Sequence, residues 1–146
     1  MKYILYGNGG SGNHGCEAIV RGTKELLGGE VLIHSKAPKE DIQYGLNKLA
    51  KIVPAISIVK KNLAFWKAYI KLKLTGNYTD MDGLSYLSSI ERTRGETLIA
   101  LSVGGDNYCY SNQSFYAFLN RAYRRKGFNT ILWGCSIEPE VIRNKR

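Results

Sequence analysis

Residues 2–34 read KYILY-GNGGSGNHGCEAIVRGTKELLGG-EVLIH, and this stretch decides the fold. The short apolar run Lys2–Tyr6 predicts a buried strand. A loop with five glycines between Gly7 and Gly15 follows it. Cys16, Ile19, Val20, Thr23 and Leu27 then recur at helical spacing, which predicts a helix over 14–27. Glu17, Arg21 and Glu25 lie on another face at i, i+4 steps and suit solvent. Gly28 and Gly29 predict a left-handed stop, and residues 30–34 predict a second strand. Strand, glycine loop, helix and strand in this order form a βαβ unit, which implies a parallel pair.

Working outward, the same alternation continues. Helical patterns are expected at 39–51, 63–74, 82–93 (with Asp82 as N-cap) and 113–126. Strands are expected at 53–59, 98–103 and 130–133. Right-handed crossovers place helices on both faces of such a sheet. The expected fold is therefore α/β: a doubly wound, mostly parallel, Rossmann-like sheet in one domain over 1–146. In such sheets ligands bind outside the carboxyl ends of the strands. Three loops of unusual composition leave strand ends there, at 7–15, 104–110 and 134–139. The sequence predicts that they meet on one edge.

Bulk properties narrow the classes. A net charge of +9 draws anions, whether nucleic acid, lipid headgroups or phosphorylated small molecules. No nucleic-acid-binding motif is present, so no nucleic-acid partner is expected. No apolar run is long enough to span a membrane, and no signal peptide leads the chain. The expected location is cytoplasmic. The three cysteines, Cys16, Cys109 and Cys135, fit no metal-ligand spacing and no disulfide framework. Buried, reduced thiols and no metal are expected.

Each loop has a functional and a structural reading. Gly7, Gly9 and Gly12 spell GxGxxG between a strand and a helix, the context of a dinucleotide fingerprint. The acid that should end the second strand and hold the ribose is missing. His34, Ser35 and Lys36 stand there instead. Lys36 is placed to meet a 2′-phosphate, which keeps an NADP-binding oxidoreductase domain as one alternative. The glycines can equally serve a tight turn alone. His14 and Glu17 are the polar groups nearest this loop. In the second loop, Gly104 and Gly105 allow close backbone approach, and Asp106 and Asn107 are the first polar groups offered. Asp and Asn are also ordinary turn residues. In the third loop, Ser136 and Glu138 can hydrogen-bond a polar ligand, and Pro139 stiffens the exit. A non-catalytic α/β binding module is a further alternative.

Taken together, GNHGCEAIV, VGGDNY and LWGCSIEP, in this order and spacing, resemble the polysaccharide pyruvyltransferase family. The matching residues are Asn13, Gly15, Cys16, Glu17 and Ala18; Gly104, Gly105 and Asp106; and Gly134, Ser136, Ile137 and Pro139. Cys135 and Glu138 depart from the usual glutamine and glycine. The resemblance implies one half of a B-type glycosyltransferase-like fold, the N-terminal half of a two-domain enzyme. It implies pyruvyl transfer from phosphoenolpyruvate to sugar hydroxyls as a ketal, with phosphoenolpyruvate as donor substrate and no cofactor. The acceptor would be a sugar or lipid-linked saccharide of cell-surface polysaccharide synthesis. On this resemblance, His14 and Asp106 are the candidate catalytic residues. Gly9, Gly10, Asn13, Gly15, Glu17, Gly104, Gly105, Asn107, Ser136 and Glu138 are the candidate substrate-binding residues. Arg143 and Lys145 lie just past the third loop and are candidates for reaching the donor phosphate. The isolated chain is expected to be inactive, because the second wall of the cleft is absent.

Lys60, Lys61, Lys67, Lys71 and Lys73 interleave with Phe65, Trp66, Tyr69 and Ile70. One reading is a basic amphipathic helix on an anionic membrane, at its inner face. The other is a helix whose aromatics enter the core while its lysines stay solvated.

Overall fold

The structure, a computed structural model, describes residues 1–55, 59–93, 99–109 and 113–143. Five parallel strands form one sheet in the order β3-β2-β1-β4-β5. They are β1 (Lys2–Tyr6), β2 (Glu30–Ser35), β3 (Lys51–Pro54), β4 (Ile99–Val103) and β5 (Asn129–Trp133). The helices are α1 (His14–Leu27), α2 (Pro38–Gln43), α3 (Leu63–Thr75), α4 (Thr79–Arg92), α5 (Gln113–Arg125) and α6 (Pro139–Arg143). The doubly wound α/β fold expected from the sequence is the one observed.

Alternation along each strand divides the core in two. Leu5, Val31, Ile33, Leu101 and Val103 pack with Val20 of α1 and with Leu46. Ile4, Tyr6, Leu32 and Ala100 point the other way, onto Tyr86 and Ile90 of α4 and Leu119 and Tyr123 of α5. A strand buried on both faces reads as a continuous apolar run, as β1 and β2 do. The chain leaves β1 for β2 on one side and later returns to β4 on the other. The switch point therefore lies between β1 and β4, where crevices open in this class of sheet.

Several boundaries differ from the sequence expectation. The helix expected at 39–51 stops at Gln43, because Gly45 adopts a left-handed φ of 76°. A single 3-10 turn follows, and β3 starts at Lys51, so Pro54 ends that strand rather than opening it. Pro54 sits on the edge strand, where the missing N–H costs least. The fourth helix begins at Thr79 with Tyr78 as N-cap. Asp82 lies in its first turn and is not the cap. All three cysteines are free, but each is only partly buried, so the expected full burial does not hold.

Candidate functional site

The first loop is pinned from beneath by an acid. Asp41 of α2 is buried and accepts the backbone N–H of Ser11 at 3.1 Å and the Ser11 hydroxyl at 2.5 Å. Its other carboxylate oxygen accepts the hydroxyl of Ser35 at the end of β2. The acid missing from the end of β2 thus arrives from the next helix, and it holds the loop rather than a ribose. The neighbouring Glu40 lays its carboxylate against Gly10 and Gly12, where side chains on those glycines would collide with it. A negative charge there opposes a pyrophosphate in the loop. His34 is fully buried between Tyr123 and Thr93, hydrogen-bonded to both hydroxyls. It is a core residue and faces no ligand.

The second loop is tied to the first. The Asn107 side-chain amide donates to the carbonyls of Gly7 at 2.9 Å and Val103 at 2.8 Å. Gly104 makes this possible: its φ is 137°, and a Cβ there would run into the Asn107 amide. The third loop is tied to the second. The N–H of Ser136 donates to Gly105 at 2.6 Å, and Tyr108 pairs with Ile137 as an isolated parallel bridge. Tyr108 is fixed in turn by Ser102 at 2.7 Å and by Asn120 of α5. Cys135 donates its thiol to the Ser102 carbonyl, and burial pushes that thiol's pKa up. Cys135 is therefore held as a protonated thiol, the unreactive form.

The candidate residues fall into two groups. Gly104, Gly105, Asp106, Asn107 and Ser136 gather over β4 and β5. Asp106 is exposed there, close enough to Tyr116 that its charge adds to the burial pushing that phenol up to about 12. His14, Asn13, Gly15 and Glu17 form the start of α1. Asn13 is its N-cap and accepts the Gly15 N–H at 2.9 Å. His14 stays 78% exposed, hydrogen-bonds Glu17 at 3.2 Å and sits edge-on to Tyr44. Glu17 also accepts Arg21 at 2.8 Å, and Arg21 with His14 lowers the Glu17 pKa. Among the described residues, no contact joins His14 to Asp106. Gly9 and Glu138 are exposed. Arg143 is exposed on α6, and Lys145 lies outside the described residues.

A cavity of about 470 Å³ opens beside these loops on the α4/α5 face. Lys36 leaves the end of β2 and enters it, with its ammonium 4.7 Å from the centre of the Phe115 ring. Tyr86 and Tyr116 complete an aromatic cage around it, and Asp82, Ser85 and Met81 line the rest of the cavity. Burial lowers the Lys36 pKa, partly offset by Asp82. Among the described residues, Lys36 forms no ion pair. Tyr116 also flanks Gly7, so cavity and glycine loop share a wall. Sequence reading singled out Lys36 but missed the cavity, because its rings come from two helices that only the fold brings to Lys36.

Fold and site define a doubly wound α/β domain whose loops meet at the switch-point edge beside an aromatic, lysine-bearing cavity. Comparison with protein-family models, curated proteins and solved structures finds no match for the chain. Among the described residues, no cluster of His, Cys, Asp and Glu is arranged to hold a metal.

Proposed function

We propose that this chain is the N-terminal, acceptor-side half of a polysaccharide pyruvyltransferase-like enzyme. The observation that carries this reading is the joining of the three motif-bearing loops through Asn107 to Gly7 and Ser136 to Gly105. Motifs separated by most of the chain meet at one edge, as a shared substrate requires.

The electrostatics suit an acceptor better than a nucleotide. Glu40 against the glycine loop accepts hydrogen bonds from neutral hydroxyls and repels phosphate. The aromatic cavity offers flat faces to a sugar ring, and Lys36 offers a charge to an acidic substituent. In the reaction, acceptor oxygens bond to C2 of the enolpyruvyl group. The C2–O bond to phosphate breaks; of the two acceptor hydroxyl protons, the balance places one on C3 and the other on the departing phosphate. Asp106, exposed at the edge, is the base proposed for an acceptor hydroxyl. His14 lies apart from it and is proposed to position the acceptor.

The test is phosphate release by the full-length protein from phosphoenolpyruvate with a saccharide acceptor, with the acid-labile ketal product identified. Asp106→Asn is expected to lower kcat about 100-fold. Absence of phosphate release, or tight binding of NADPH, would overturn the reading.

A further inference from the structure

We propose that α3 is an interfacial anchor that lays the protein on an anionic lipid surface, a role independent of the chemistry at the sheet edge. Ala68 of this helix is buried and Phe65 and Leu72 are half-buried beside it, while Trp66 and Tyr69 stay exposed, outside the core. The face turned to solvent is apolar as well as the one turned inward. Leu63, Trp66, Ile70 and Leu74 recur at three- and four-residue steps and form one stripe. They are 70%, 50%, 56% and 80% exposed. Lys67 flanks the stripe on one side and Lys73 on the other, with Lys60 and Lys61 just ahead of the helix. Tyr69 adds an amphipathic ring, with Lys73 near its face. Lys71 is the exception among the lysines, being paired with Asp80 at 2.8 Å.

Charge complementarity names the occupant. Lys60, Lys61, Lys67, Lys71 and Lys73 lie in α3 or just ahead of it, and residues 60–79 carry no carboxylate. An apolar protein partner would be matched by the stripe but not by this concentration of positive charge. An anionic bilayer matches both: acyl chains take the stripe, and headgroups take the lysines. Trp at the boundary between apolar core and headgroups is the usual anchor. The helix is self-contained, capped by Asn62 at its start and by left-handed Gly76 at its end. Its main contacts run to α4, and among the described residues its outer face stays exposed. Among the described residues, no helix is long and apolar enough to cross a membrane, so α3 lies on the surface.

The experiment is sedimentation with vesicles, using the full chain. Vesicles of equal parts phosphatidylglycerol and phosphatidylcholine should carry the protein down, and pure phosphatidylcholine should not. Trp66→Ser combined with Ile70→Ser, and separately Lys67→Gln with Lys73→Gln, should each weaken binding at least tenfold. Both pairs are exposed, and circular dichroism checks that the fold is kept. Vesicles with brominated acyl chains should quench the emission that Trp66→Phe removes. No binding to the mixed vesicles, binding that ignores lipid charge, or binding that survives both double variants would overturn the proposal. So would a stable dimer that Trp66→Ser dissociates, since a second copy would then cover the stripe.

Discussion

The side chain of Asn107 reaches the carbonyl of Gly7 at 2.9 Å and so joins two loops that lie 100 residues apart in sequence. The same amide also meets Val103. Both of its hydrogens are therefore used, and the mouth of β1 is fastened to the mouth of β4. Asn107→Ala removes both bonds and leaves two carbonyls short of a donor. We expect a loss of about 1–3 kcal/mol, read from urea denaturation. Asn107→Asp should cost more, because its carboxylate faces the two carbonyl oxygens. Equal stability for all three proteins would show that the loops do not depend on this bond.

Asp41 carries a larger share of the loop's order. Asp41→Ala strands the Ser11 amide, the Ser11 hydroxyl and the Ser35 hydroxyl in a buried site. A loss of about 3 kcal/mol is expected in thermal or chemical unfolding, against about 1 kcal/mol for Ser11→Ala, which removes a single hydroxyl. A mild Asp41→Ala effect would mean that water reaches the site.

His34 sets an acid limit on stability. Burial, with Arg92 adding its charge, lowers the His34 pKa to about 4. In the unfolded chain it titrates near 6.5. Between these values the unfolded state takes up a proton that the folded state refuses. Stability from this group is therefore complete above pH ~6.5, falls as the pH drops towards 4, and is lost below that. The change is on the order of 3 kcal/mol. Urea midpoints measured from pH 7.5 to 4.5 should fall steeply for the natural protein and less steeply for His34→Gln.

How far the sequence foretold this structure depends on where each signal lies. β1, α1 and the left-handed Gly28 were legible because strand pattern, helix period and stop are all local. The helix expected at 39–51 failed because Ile42, Leu46 and Leu49 kept the helical spacing across a glycine that turns the chain. Nothing local in the sequence marks Asp41, and only the fold brings Ser11 and Ser35 to it. The cavity was hidden for a similar reason. Tyr86, Phe115 and Tyr116 come from two helices, and nothing local shows that they close around Lys36.

Lys36 offers a test that separates binding from stability. Its ammonium is half-buried over Phe115 without an ion-pair partner among the described residues. Lys36→Met keeps an unbranched apolar stem one atom shorter and removes the desolvated charge. Unfolding free energy should change by less than about 1 kcal/mol, or rise. Binding of an acidic saccharide, followed by calorimetry, should weaken about tenfold. A large loss of stability with unchanged binding would make Lys36 a packing residue only.

Gly83 sits where α4 crosses α5, and a Cβ there would enter the ring of Phe118. Gly83→Ala should cost about 1–3 kcal/mol through overpacking, despite the better helix propensity of alanine. Guanidinium unfolding of this variant against Gly22→Ala, whose site is open, would separate the two effects.

The carboxylate of Asp41 also has a meaning in time. Ser11 is made before its anchor, which lies 30 residues further on, past β2. Until that segment has emerged and folded back, the Ser11 amide and hydroxyl lack their buried acceptor. Once it has, the Ser11 amide is shut away from solvent. Slow deuterium uptake at Ser11 beside fast uptake at exposed Gly9 would therefore mark the moment at which the mouth of β1 becomes a defined surface.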